Sequence, residues 1–213
     1  MPLKITQISN YSRGQFKKII KDINISIEPL KDYLSCMAYK HTVDGCFITY
    51  LLEDIREDTS IVLGYISFSN TVIDSDCDEA KNLLNISNGM QYPIPTLKIT
   101  RLAVVDNFQG QKLGKLLIAF AEITAFIQQK STGCKALVVD SKNEAINFYK
   151  NANFIAIENY SDDDSIVFMI KKISTIKELK KEEILDETIQ NYNEICELCN
   201  LNTELNSLNT LRQ

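Results

Sequence analysis

Apolar positions recur along this chain with two periods, and the switches between them mark its elements. Residues 3–8 read as a short first strand. Phe16, Ile19, Ile20 and Ile23 stand at helical spacing, which predicts a helix over 12–23. Pro29 suits a helix start. Leu30, Tyr33, Leu34 and Met37 then recur at three and four, so a second helix is predicted over 30–40. Gly45 closes it. The runs Cys46–Leu52 and Ile61–Ser69 flank a charged turn, Glu53 to Ser60, and predict a hairpin.

Residues 74–95 break this pattern. Asp74, Asp76, Asp78 and Glu79 come first, followed by Asn88-Gly89 and two prolines. A calcium loop starting at Asp74 fails, because neither the glycine nor the glutamate it needs falls at the required position. We read a surface insertion over about 71–95, with a short helix at 78–86.

The stretch 96–106 is strand-like. A long helix follows, with Leu113, Leu116, Leu117, Phe120, Ile123 and Ile127 on one side and Gly133 at its end. Ala136-Leu137-Val138-Val139 is continuously apolar, as in a strand covered on both faces. Ser141-x-x-Glu144 has the form of a capping box opening a helix at 142–151. Strands at 154–159 and 165–172 flank Asp162-Asp163-Asp164. The order from 96 onward is β-α-β-α-β-β, which implies helices packed on a mixed central sheet. Thr175-x-x-Glu178 is a second capping box. Beyond it Ile176, Leu179, Leu185, Ile189, Tyr192, Ile195, Leu198, Leu201, Leu205 and Leu208 keep helical spacing opposite an acidic face, so 174–213 reads as an amphipathic helical extension of a domain over 1–173.

Composition changes this picture little. Of the 213 residues 45% are hydrophobic and 24% charged, the balance of an ordinary globular protein. No apolar run is long enough to span a bilayer. Met1-Pro2-Leu3-Lys4 does not begin a secretion signal, so a cytoplasmic location is expected. The six cysteines are irregularly spaced, which favours reduced thiols over a disulfide framework. Cys196-x-x-Cys199 lacks a second ligand pair, His41 is the single histidine, and no metal is expected. The net charge of −5 is concentrated in 174–213, with 4 Lys/Arg against 8 Asp/Glu. The near-neutral body does not favour a nucleic-acid partner.

The candidate chemistry lies in Leu102-Ala103-Val104-Val105-Asp106-Asn107-Phe108-Gln109-Gly110-Gln111-Lys112-Leu113-Gly114-Lys115. A strand enters a glycine-containing turn and then directly a helix. The first N–H groups of that helix have no intrahelical acceptor, and with the helix dipole they attract anions. Neither a Walker A loop nor a Rossmann fingerprint is present.

This stretch resembles the acyl-CoA-binding motif of GNAT acetyltransferases, Gln/Arg-x-x-Gly-x-Gly/Ala. The resemblance implies that Leu102, Ala103 and Val104 hold pantetheine, and that Gln109, Gly110, Gln111, Lys112, Leu113, Gly114 and Lys115 hold the pyrophosphate of acetyl-CoA. Lys112 stands where the first motif glycine is usual; a backbone contact needs no particular side chain, so binding is expected to survive there if Lys112 has an ordinary helical φ. A second stretch, Ala136-Leu137-Val138-Val139-Asp140-Ser141-Lys142-Asn143-Glu144-Ala145 through Phe148-Tyr149 to Asn153-Phe154, resembles the other half of the GNAT signature. It implies that Tyr149 is the general acid to the CoA thiolate and that Asn143 contacts pantetheine or a bound water. Asn153 replaces the usual glycine at a helix end, where left-handed backbone is expected and asparagine is tolerated.

The implied fold is the α/β (α+β) GNAT fold, a mixed, mostly antiparallel twisted sheet of about six to seven strands flanked by helices. The implied function is N-acetyl transfer from acetyl-CoA to a primary amine in a ternary complex. No carboxylate precedes the loop on its strand. His41, Glu53 and Asp54 are candidate bases, and a water chain through backbone carbonyls is preferred. Tyr65 and Ser67 are expected to line the acceptor side. Leu30-x-x-Tyr33-Leu34-x-x-x-Ala38, Thr49-Tyr50-Leu51 and Leu63-Gly64-Tyr65-Ile66-Ser67 are similar to GNAT-type toxins of toxin–antitoxin modules, which acetylate aminoacyl-tRNA. The further alternative is a degenerate GNAT module that binds a protein. The acceptor is thus a small-molecule or protein amine, with tRNA as the alternative, and the C-terminal helices offer a surface for a homodimer or another protein partner.

Overall fold

The computed structural model describes residues 3–56, 60–87, 89–158, 160, 163–175, 190 and 197. Seven strands form one sheet in the order β1-β2-β3-β4-β5-β7-β6: Leu3–Gln7, Ile48–Ile55, Ser60–Ile73, Ile94–Val104, Ala136–Lys142, Ile166–Lys172 and Ile155–Ala156. β4 and β5 run parallel, while β1–β2, β2–β3, β5–β7 and β6–β7 are antiparallel. Helices are α1 (Arg13–Ile19), α2 (Glu28–Asp32), α3 (Ala38–Val43), α4 (Asp78–Leu83), α5 (Leu113–Ser131) and α6 (Ile146–Lys150). The β-α-β-α-β-β order expected from 96 onward is present. The C-terminal extension, with its predicted helices and Cys196-x-x-Cys199, lies outside the described residues apart from Gln190 and Glu197.

The chain forms two compact units. In the first, residues 3–69 and 100–120, the core holds Ile8, Phe16, Leu34, Ala38, Leu51, Tyr65 and Ala103. α1 starts as its sequence dictates: Ser12 Oγ accepts from the Gln15 N–H, and the Gln15 side chain returns to the Ser12 N–H. The predicted helix over 30–40 is instead α2, a π-helical turn at Tyr33–Met37 and α3. A π turn carries one extra residue, so the inward face slips by one position. Leu34 and Ala38 are fully buried, whereas Met37, expected inward, is 43% exposed.

In the second unit, residues 70–99 and 121–175, the core holds Ile73, Ala80, Leu84, Ile94, Ala136, Val138 and Ile170. The segment expected as a surface insertion therefore supplies four core residues. Its aspartates face water while Ile73, Ala80, Leu84 and Ile94 are at most 1% exposed, because α4 is amphipathic over too few residues for its period to show. β5 is covered on both faces, as its apolar run predicts, with Ala136–Val139 buried.

The capping box expected at Ser141 does not form. Ser141 is still a strand residue, opposite Val167 in β7, and its hydroxyl donates to the Lys142 carbonyl. The segment then turns through a 3-10 helix, Asn143–Ala145, without a side-chain cap.

Candidate functional site

The first unit contains the strand–loop–helix expected to bind phosphate. Beyond β4 the chain makes a 3-10 turn at Asp106–Phe108 and enters α5 through two left-handed residues, Gly110 (φ 78°) and Lys112 (φ 62°). The condition set for Lys112, an ordinary helical φ, is thus not met. Lys112 takes a left-handed backbone of the kind that favours glycine, and its carbonyl accepts the Lys115 and Leu116 N–H groups to start α5. A lysine in this region costs about 1–2 kcal/mol relative to its preferred conformations. Left-handed residues two apart turn successive N–H groups toward one concavity. The N–H groups of Gln111, Lys112, Leu113 and Gly114 donate to no acceptor among the described residues. Lys112 and Lys115 are exposed beside them.

Gln109 has a different task from its neighbours. Its amide donates to the Val104 carbonyl (3.3 Å) and to Asp106 Oδ1 (3.1 Å). Asp106 also accepts from the N–H and hydroxyl of Ser26, and its own N–H donates to the Asn24 carbonyl. Gln109 therefore braces the turn, and what the loop offers an anion is its backbone.

Leu102, Ala103 and Val104 end β4. Beneath them lies Gly64, which the motif reading passed over. A Cβ on Gly64 would stand 2.6 Å from the Ala103 carbonyl oxygen and 3.3 Å from Val104 Cα. The adjacent Leu63 is the extra residue of a bulge in the β2–β3 ladder, and its carbonyl accepts the Val105 N–H at 2.9 Å. Gly64 and Leu63 thus set the height of the strand end that leads into the loop. An isolated glycine inside an apolar strand is the sequence signal for such an approach.

Of the candidate bases, Glu53 and Asp54 are buried, at 0% and 1% exposure. Glu53 accepts from the Tyr11 hydroxyl (2.8 Å) and the Ser60 hydroxyl (2.6 Å). Asp54 pairs with Arg56 at 3.1 Å. Burial, and then the bond to Glu53, push the Tyr11 phenol up to about 12. His41 packs between the Tyr33 and Phe47 rings, and its Nδ1 is buried without a hydrogen-bond partner. Tyr65 and Ser67 do not line an open face either. Tyr65 donates to the Leu30 carbonyl at 2.7 Å, and Ser67 exchanges a hydrogen bond with Thr49 at 2.8 Å.

The second unit contains the other half of the motif. Asn143 is exposed on its 3-10 turn. Tyr149 is 7% exposed on α6, with Phe148 and Phe154 edge-on to its ring. Burial raises its phenol above the ordinary value. Asn153 has φ 64°, the left-handed helix end expected of it, and the Phe154 N–H returns to the Tyr149 carbonyl at 3.0 Å. In this unit β4 pairs with β5 only from Thr96 to Lys98.

A family model described as an acetyltransferase (GNAT) domain matches residues 55–156. Solved structures share the fold. The structure of a mutant of KacT is 20% identical over 83% of this chain and 98% of its own, with a TM-score of 0.66. AtaT complexed with acetyl-methionyl-tRNAfMet is 20% identical over 86% of this chain and 98% of its own, with a TM-score of 0.64. AtaTR bound with AcCoA is 21% identical over 79% of this chain and 92% of its own, with a TM-score of 0.60. The GNAT resemblance and the GNAT fold are both borne out.

Proposed function

We propose, from the GNAT domain this chain carries, that it transfers the acetyl group of acetyl-CoA to the α-amine of an aminoacyl group on charged tRNA. The observation that carries acetyl-CoA binding is the loop over Gly110–Gly114. It opens a helix with paired left-handed residues, four N–H groups without acceptors and two exposed lysines. That is the chemistry a pyrophosphate requires, and backbone donors tolerate the lysine at 112. Leu102, Ala103 and Val104 suit the pantetheine arm, whose amides pair with extended backbone. The acceptor reading rests on the likeness to AtaT, solved in complex with acetyl-methionyl-tRNAfMet, 98% of whose chain is covered.

In the proposed reaction the amine nitrogen attacks the thioester carbonyl, the C–S bond breaks, and Tyr149 gives its phenolic proton to the departing thiolate. Burial suits the phenol to this role, because it stays protonated through neutral pH. The proton lost by the amine leaves through water and backbone carbonyls, since Glu53 and Asp54 are both engaged in the core. Asn143 orients pantetheine or a water. We assign the transferase to 1–173 and an attached role to 174–213.

Purified protein, labelled acetyl-CoA and charged tRNA test this directly. Acetylated aminoacyl-tRNA is expected, with Tyr149→Phe reducing the rate ~10²-fold or more while the fold is retained. Through neutral pH the rate should show no falling limb from the Tyr149 phenol, because burial raises it above its ordinary value. Transfer to free amines but not to charged tRNA would overturn the acceptor and leave the acetyl transfer standing. Transfer to neither would favour a degenerate protein-binding module.

A further inference from the structure

We propose that Arg101 selects the acceptor, its guanidinium gripping the phosphodiester that adjoins the aminoacyl group. This rests on the charged-tRNA reading above, in which the amino acid's main-chain carboxyl is esterified and the nearest fixed anion is a phosphate of the RNA. Arg101 belongs to the first unit and directly precedes residues 102–104, the strand end assigned to pantetheine. Successive Cα atoms lie ~3.8 Å apart, so an anion held by Arg101 is held beside that arm. The Arg101 side chain is exposed and lies over the Tyr33 ring, its guanidinium carbon 5.2 Å from the centroid. Tyr33 opens the π turn and is 9% exposed. The Tyr65 ring stacks on it at 6.4 Å, and the His41 ring is tilted against it at 5.8 Å. Tyr65 is anchored in turn by its bond to the Leu30 carbonyl.

This cation is held in place and has no counter-charge. Nη1 of Arg101 donates to the Thr100 carbonyl at 2.6 Å, and no carboxylate pairs with the side chain among the described residues. Asp32 directly precedes Tyr33 in the chain and still forms no ion pair with Arg101. Other cations of the body are matched: Arg56 with Asp54, Lys98 with Asp140 and Lys171 with Glu122. Stacking orients the plane of a guanidinium and leaves its N–H edge free, which suits a phosphate taken through two parallel bonds. The Tyr33 hydroxyl is a second unsatisfied group of the cluster, buried and without a partner among the described residues. A cover for the ring alone would need no planar fork, because the aliphatic stem of a lysine would serve. The π turn that presents Tyr33 breaks the regular helix, and such turns recur at functional sites.

Arginine Nε–H signals in NMR spectra read the grip without turnover. The arginines of the chain are Arg13, Arg56, Arg101 and Arg212, so the signal lost in Arg101→Lys is that of Arg101. The full chain is first saturated with CoA, so that the cofactor's own phosphates are already present. It is then titrated with the dinucleoside monophosphate CpA, with adenosine and with N-acetylglycine. A shift of the Arg101 signal with CpA, and none with adenosine, is expected. No shift with CpA overturns the proposal. A tighter response to N-acetylglycine than to CpA overturns the phosphate and the charged-tRNA reading together. Steady-state rates give the second measurement. For charged tRNA, Arg101→Gln should raise KM roughly tenfold or more while kcat changes less. Arg101→Lys, which keeps the charge and loses the fork, should recover part of that loss. An unchanged KM in Arg101→Gln overturns the proposal and leaves the charged-tRNA reading standing. No transfer to charged tRNA by the wild type, with the CpA shift intact, would overturn the acceptor reading and keep the phosphate grip.

Discussion

Lys112 is the residue at which local preference and tertiary demand diverge most clearly. Its left-handed φ of 62° is what the start of α5 requires. Lys112→Gly should raise the free energy of unfolding by up to ~1 kcal/mol, the relief of strain being partly offset by glycine's larger unfolded entropy. Lys112→Val should lower it by more than ~1 kcal/mol, because a β-branched residue is least suited to that backbone. Urea denaturation of the three proteins checks both. Tyr11 is a second such residue. Tyr11→Phe removes a donor from fully buried Glu53 and should lower stability by about 2 kcal/mol. The folded pKa of Tyr11 is raised from 10.0 to about 12. The stability it contributes is therefore full below pH 10 and is lost as pH rises toward 12. The difference in urea midpoint between wild type and Tyr11→Phe should accordingly narrow over that interval.

At the scale of elements, the end of β4 depends on β3. Gly64→Ala drives a methyl into the Ala103 carbonyl, and backbone cannot yield as a flexible side chain would. A loss of roughly 1–3 kcal/mol is expected. Acetyl-CoA affinity should fall as well, because the strand displaced is the one assigned to pantetheine. Gly14→Ala in α1 is the control: nothing lies within 4 Å of the added methyl, and a gain of about 0.4–1 kcal/mol is expected. Paired melting curves with and without acetyl-CoA separate the two effects. The elements most legible in sequence were those with long, uniform periods, β4, α5 and β5. The helix over 30–40 was recognisable, but its π turn was not. An inserted residue leaves the apolar spacing plausible in either register, and packing of Leu34 and Ala38 decides between them.

For the whole molecule, acetyl-CoA binding should raise the melting temperature by mass action, equivalent to ~2.7 kcal/mol at a hundredfold excess over Kd. The shift should vanish in a Gly110→Val/Gly114→Val variant that still folds. A shift that persists there would remove the loop from the site.

Taken alone, the sequence determined the β-α-β-α-β-β order, the glycine-containing turn that leads into α5 and the left-handed helix end at Asn153. These are local matters, in which glycine, asparagine and apolar spacing act on a few adjacent peptide groups. Tertiary structure alone decided the rest. Glu53 and Asp54 look like exposed strand-end carboxylates until Tyr11, Ser60 and Arg56 close on them. Tyr65 and Ser67 look available until Leu30 and Thr49 take their hydroxyls. The segment near 71–95 reads as a surface insertion until Ile73, Ala80, Leu84 and Ile94 are seen to share a core. Whether a polar group is free to do chemistry depends on partners tens of residues away, and no local pattern in the chain encodes which of them will meet.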